Sequence, residues 1–185
     1  MATHKPVEAE EIFGELEISK SDKKWYVIHT KPKQEKKLAE YSLRNKITYY
    51  LPLQDSIRVY SNRKIKFTKP LFPSYLFAQC SFYEKRTLTI SGHTVNFLDV
   101  INEKELVGEL KQIYSGKEIG AEFKTHKYVR SGTKVEIISG SMKGLTGIVE
   151  DQNNLGEVIL QVEILRQAVS VKIAPEFVKI LKGSK

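Results

Sequence analysis

Beyond residue 127 the chain turns into short alternating runs, and no other feature restricts its fold as strongly. GTKVEIISG, LTGIVED, GEVILQVEIL, AVSVKI and FVKIL place apolar side chains at nearly every second position, separated by Gly or by Asn-Asn-Leu-Gly. A strand of period two sends one face to a core and the other to water; VILQVEILRQAV can also be written as an apolar helix, which leaves a fold-switching barrel as the alternative, but its β-branched content favours strands. Short strands joined by tight turns in a segment of this size suit a small SH3-like β-barrel over residues 128–182. Gly132, Gly140, Gly144 and Gly147 fall where turns or close backbone approach are expected.

The preceding part mixes two periods. WYVIHT (Trp25 to Thr30) is a β-rich run that stops at Lys31-Pro32, where proline suits the first turn of a helix. That helix is expected from Pro32 to Lys46, with Leu38, Ala39, Tyr41 and Leu43 on one arc and Lys33, Lys37, Glu40 and Arg44 on the other. TYYLPLQDSIRVY and RKIKFTKP read as a hairpin turning at Ser61-Asn62, and SYLFAQC as a further strand. A second helix at Phe82 to Ser91, a strand at Thr94 to Val100 and a third helix opened by Asn102-x-x-Glu105 and closed at Gly116 complete the order β-α-β-β-β-α-β-α. The fold class is therefore α+β: helices covering a mainly antiparallel sheet over residues 24–116, then a linker at 117–127. Residues 1–23, acidic and poor in large apolar side chains, read as a flexible extension outside the core, with a turn of helix around Glu10 to Leu16.

Composition narrows the function. With a mean hydropathy of -0.34 and no apolar run near membrane length, a membrane span is not expected. The opening MATHKPVEAEEIFGELEI lacks the basic start and apolar block of a secretory signal, so a cytoplasmic location is expected. One cysteine, Cys80, cannot form an internal disulfide, and His4, His29, His93 and His126 show no metal-pair spacing. No G-x-S-x-G or P-loop occurs, and Asp99, Glu103 and Glu105 sit where acids favour a helix start, so no enzyme, metal or cofactor is expected. The net charge of +8 is concentrated: residues 24–99 hold fourteen Lys or Arg against five acids. Such an excess favours a polyanionic partner through phosphate contacts and counterion release.

WYVIHTKPKQEKKLAEYSLR, followed by KPLFPSYLFAQ, resembles the N-terminal (NGN) domain of the NusG superfamily of transcription elongation factors. GTKVEIISGSMKGLTGIVED resembles the KOW motif that accompanies it. Within the superfamily the sequence is similar to the specialised RfaH and UpxY antiterminators linked to capsular polysaccharide operons. The resemblance implies an NGN-type α/β sandwich followed by a KOW barrel, acting as a monomer in elongation and antitermination.

It also implies partners. The clamp helices of the largest RNA polymerase subunit would meet His29, Phe72, Pro73, Tyr75 and Phe77, with Tyr50 and Pro52 on the neighbouring strand. Alternation from Ser74 places Tyr75 and Phe77 on one face and Leu76 and Ala78 on the other, so one set fills a core while the other meets a partner. A second polymerase contact would fall at Arg86, Thr87 and Leu88, where the polar motif of specialised members is degraded. Lys31, Lys33, Lys37 and Arg44 match positions that touch the displaced non-template DNA strand. In the KOW region Ile164 and Leu165 match a turn offered to a small-subunit ribosomal protein. Leu165 and Gln167 depart from the aromatic and Arg of housekeeping members, which disfavours the termination factor Rho. The other functional class is an RNA-binding scaffold of the ribosome or its assembly, for which the N-terminal domain would be superfluous.

Overall fold

The computed structural model describes residues 8–181 apart from Asn62. Two compact units divide the chain, Met1–Glu103 and Lys104–Lys185. The first contains β1 (Ile12–Phe13), β2 (Lys24–Thr30), α1 (Glu35–Arg44), β3 (Thr48–Tyr50), β4 (Leu53–Tyr60), β5 (Arg63–Pro70), β6 (Tyr75–Cys80), α2 (Phe82–Ile90) and β7 (Thr94–Asp99). Antiparallel pairing builds a five-stranded sheet in the order β1-β3-β6-β2-β7, while β4 and β5 form a two-stranded sheet of their own. The mixed α+β architecture is thus as expected.

Strand alternation decides what each sheet face carries. Ile28, Leu76, Ala78, Cys80 and Tyr49 point to one side and pack with Leu38 and Ala39 of α1 and Leu88 of α2. Burial holds the Cys80 thiol protonated, its pKa pushed up to about 12. Trp25, Val27, Tyr50 and Phe77 occupy the other face and are buried as well. α2 is opened by a capping box at Ser81 and Glu84: the Ser81 hydroxyl accepts the Glu84 N–H at 3.3 Å, and the Glu84 carboxylate accepts the Ser81 N–H at 2.8 Å.

Several expected boundaries move. The first helix starts at Glu35, not Pro32, because Lys33 takes a left-handed φ of 61° that no helix continues through. Residues 8–23 are not an extension outside the core, and a strand replaces the expected turn of helix. Ile12 and Phe13 pair with Tyr50 and Tyr49 of β3, which makes β1 an edge of the sheet. The Glu17 carbonyl accepts both the Trp25 indole N–H at 2.8 Å and the Gln79 amide at 2.7 Å, and the Glu10 carbonyl accepts the Tyr49 hydroxyl at 2.9 Å. Three large polar side chains of the sheet would lack these partners without the strap, which explains why an acidic segment with few apolar residues is ordered. Residues 1–7 of the expected extension lie outside the described residues. The β4–β5 register pairs Tyr60 with Arg63, and Asn62 of the expected turn lies outside the described residues.

The second unit comprises α3 (Glu103–Glu118, starting at the boundary), β8 (Lys124–His126), β9 (Thr133–Ile137), β10 (Thr146–Val149), β11 (Glu157–Val162), β12 (Gln167–Lys172) and β13 (Val178–Ile180). Its six strands follow the order β13-β9-β10-β11-β12-β8. The five alternating runs supply five of them. The sixth, β8, comes from the segment expected as linker: α3 runs past Gly116 to Glu118, and residues 124–126 pair with Ala168, Val169 and Ser170 of β12. A three-residue strand is too short to show a period, which hid it. Gln112 of α3 bonds Thr146 twice, its amide donating to the hydroxyl and its carbonyl accepting the Thr146 N–H at 2.7 Å.

Two glycines of the C-terminal sheet are required for different reasons. Gly144 has φ +92°, while a Cβ on Gly147 would lie 2.5 Å from the Ile159 carbonyl oxygen. Gly147→Ala is expected to destabilise the second unit by about 1–3 kcal/mol through this overlap, read by urea denaturation. Deleting residues 1–17 is expected to lower stability by roughly 2–4 kcal/mol relative to deleting residues 1–7, because the Trp25, Tyr49 and Gln79 partners are lost with the strap. Thermal denaturation of the two truncated chains reads the difference.

Candidate functional site

The site expected from sequence forms where the end of β2 lies beside the start of β6. His29 pairs with Tyr75 in the β2–β6 register, and their rings stack with centroids 5.3 Å apart at 29°. Both are half-buried and Pro73 beside them is exposed. Beneath lies an aromatic base: Phe72 meets Phe77 edge-on at 6.1 Å, and Tyr50, Phe72 and Phe77 are each at most 1% exposed. Pro52 is buried too. The expected set therefore separates into a presented rim of His29, Pro73 and Tyr75 and a packed support of Tyr50, Pro52, Phe72 and Phe77.

Backbone geometry sets that rim. A bulge between His29 and Thr30 shifts the β2–β7 register, and the Thr30 N–H donates to the Ser74 carbonyl at 2.9 Å. Ser74 itself takes a positive φ of 68°. Pro73, which has no N–H to donate, and the left-handed Ser74 precede β6, so the regular strand begins only at Tyr75.

The expected cation stripe is spread over three kinds of backbone. Lys31 closes β2, its N–H bonded to the His93 carbonyl at 2.9 Å, and Lys33 stands in the left-handed turn before α1, so it does not share the helix face. Lys37 and Arg44 are exposed on α1, where Arg44 is ion-paired with Glu40 one turn away. Lys31 and Lys37 together push the His93 pKa down, after burial, so three basic groups share one locality. Lys36 of the same helix turns inward and donates to Thr68 of β5 at 2.7 Å.

Sequence reasoning recognised the hairpin but did not assign it to a site. β4 and β5 carry Arg58, Arg63, Lys64, Lys66 and Lys69 against Asp55. Their register places Ile57 and Val59 opposite Lys66 and Lys64 on one face, and both apolar side chains are exposed, by 58% and 67%. On the other face the Arg58 guanidinium lies 5.7 Å from the Phe67 ring centre. The crowding of five cations against one acid on the two arms was the available signal.

Arg86 and Thr87 lie on the outer side of α2, whereas Leu88 is fully buried and belongs to the core. Phe82, Tyr83 and Ile90 of this helix are 70–78% exposed around them. In the second unit Ile164 and Leu165 are half-buried in a 3-10 turn, Glu163–Leu165, closed by Arg166 at φ 49°. Among the described residues no group of three His, Cys, Asp or Glu could hold a metal ion, and no helix is long and apolar enough to cross a membrane.

Residues 23–113 match the family model described as transcription termination factor NusG. Transcription termination/antitermination protein NusG of Rickettsia conorii is 28% identical over 146 residues, covering 71% of this chain and 76% of the relative. The Rickettsia typhi protein of the same description is 29% identical over 151 residues, with 74% and 79% covered. Residues 23–113 form a NusG-family domain. Among solved structures, that of Thermotoga maritima NusG, described for its domain interaction, aligns at TM-score 0.46 and 19% identity over 86% of this chain and 98% of that one.

One titration marks the 3-10 turn of the second unit, beyond the NusG-family domain. Glu109 of α3 accepts the Glu163 N–H at 3.1 Å, and burial, aided by Glu105 and Glu163, pushes its pKa up from 4.5 to about 7. An acid with a raised folded-state value holds its proton more tightly when folded, so stability falls as pH rises from about 4.5 through about 7. Glu109→Gln, which keeps the accepting oxygen, is expected to flatten this decline and stabilise the chain at pH 8, read by denaturation at pH 5 and pH 8.

Proposed function

We propose that this chain is a transcription termination/antitermination factor that binds RNA polymerase and the nucleic acid beside it. The observation that carries the reading is the His29–Tyr75 stack next to exposed Pro73, a partly exposed aromatic rim on a fully buried aromatic base. Aromatic anchors held rigid by packing lose little entropy on docking and commonly dominate interface energy. The clamp helices of the largest polymerase subunit are the proposed occupant, with the rim as contact and Tyr50, Pro52, Phe72 and Phe77 as its foundation. Residues 24–116 are proposed as the polymerase-binding module and residues 128–182 as the partner-binding one.

Lys31, Lys33, Lys37 and Arg44 are assigned to the non-template strand. The cations of the β4–β5 ribbon extend the same phosphate-binding surface, since a two-stranded ribbon is of a size to lie in a groove. Arg86 and Thr87, with Phe82, Tyr83 and Ile90 around them, are assigned to a second polymerase contact. Ile164 and Leu165 are assigned to a small-subunit ribosomal protein, the departures at Leu165 and Gln167 disfavour recruitment of Rho, and the operon-restricted, capsule-type activity is proposed on the likeness to the specialised antiterminators. The chain acts by binding, without chemistry of its own.

Run-off transcription through a pause and a terminator, with and without the protein, tests the function: read-through is expected to rise. For the contact, Tyr75→Ala and His29→Ala are the informative variants, because Phe72→Ala would empty a buried site and confound binding with unfolding. Each is expected to weaken recovery of polymerase about tenfold while remaining folded. Unchanged recovery by both would remove the rim from the interface. Lys31→Ala and Lys37→Ala are each expected to reduce the logarithmic salt slope of elongation-complex binding by about 1.

A further inference from the structure

Glu35 is the first residue of α1, a position where an acid ordinarily faces solvent and favours the helix dipole. Here it is 5% exposed. Its Oε1 accepts the Ser74 N–H at 2.7 Å, across 39 positions of sequence. Ser74 is the residue with φ +68° between Pro73 and Tyr75, and its carbonyl is held from the opposite side by the Thr30 N–H at 2.9 Å. The Tyr75 N–H closes the turn onto the Phe72 carbonyl at 3.3 Å.

A left-handed conformation is rare for a serine and persists only where surrounding bonds fix it. A carboxylate can fix it well, since it accepts without donating and a charge-assisted bond to a backbone N–H is short and strong. The same bond offsets the desolvation of the buried carboxylate. A helix capped by Gln34, whose side chain makes no capping bond, leaves the dipole end to Glu35, yet Glu35 directs its oxygen to a distant turn.

We infer that Glu35 is a positioning residue for the docking rim: by holding the left-handed Ser74 it sets the angle at which Pro73 and Tyr75 are presented to the polymerase. It touches no partner itself, and the inference rests on the proposed rim contact. Length and acceptor character matter here more than charge. Gln preserves the length and one oxygen, whereas Asp keeps the charge but draws it back by one methylene.

The test uses the full chain and its Glu35→Ala, Glu35→Gln and Glu35→Asp variants, with Tyr75→Ala as the rim control. Three quantities are read: amide exchange at Ser74, melting temperature, and affinity for core RNA polymerase. Glu35→Ala and Glu35→Asp are expected to speed Ser74 exchange and to weaken polymerase binding about tenfold, while Glu35→Gln stays within about threefold of the parent. A role in stability alone would instead lower the melting temperature of all three variants with no matching pattern in affinity, and that result overturns the inference. Faster Ser74 exchange in Glu35→Ala or Glu35→Asp with parental affinity, while Tyr75→Ala still loses binding, overturns the inference and leaves the rim intact. Parental affinity for Tyr75→Ala as well overturns the rim contact and the inference together. Should Glu35→Ala fail to fold, the Gln and Asp pair decides: equal affinity for the two overturns the inference.

Discussion

The ladder between Lys24–Thr30 and Tyr75–Cys80 places every second side chain of two adjacent strands on a common face, and the rest of the first unit is arranged around that partition. On one side Ile28, Leu76 and Ala78 meet the helices. On the other, Val27 and Phe77 are buried, and the same face continues one pair further to His29 and Tyr75, where the side chains are half-buried. A slip of one residue would exchange the two sets and put the stacked rim into the helix-facing core. Register here therefore decides which rings are presented as well as which are packed.

A partition this strict creates polar requirements that local sequence does not meet. Trp25, Tyr49 and Gln79 carry donors on large, mostly buried side chains, and backbone carbonyls of the strap at Glu10 and Glu17 accept them. Ser74 needs an acceptor just before β6, and α1 supplies it through Glu35. In both cases an acidic residue or segment that composition assigns to the surface is drawn inward by hydrogen bonding. The positive charge is left outside, on Lys31, Lys33, Lys37 and the β4–β5 ribbon, where the charged ends of long side chains stay hydrated.

What was legible in the sequence follows the strength of its periods. The five alternating runs and SYLFAQC became strands, and Phe82 to Ser91 became a helix, because their patterns are long enough to name a face. β1 and β8, of two and three residues, were invisible for the opposite reason: they exist as partners of β3 and β12 and have no period of their own. The candidate site divides in the same way. Tyr75 and Phe77 share a face as alternation requires, but whether a ring is rim or foundation depends on what covers it, and strand period says nothing of that.

Sequence by itself determined the α+β order, the sheet-rich C-terminal region, the NusG-family domain and the concentration of positive charge before residue 100, since each is written in local spacing or in residue type. Tertiary structure alone decided that residues 8–23 are part of the sheet, that Phe72 and Tyr50 are support while His29, Pro73 and Tyr75 are presented, and that Glu35 faces inward. The physical reason is common to all three: burial and hydrogen-bond pairing are properties of two segments at once, and their partners lie tens of residues apart, beyond the reach of any local pattern.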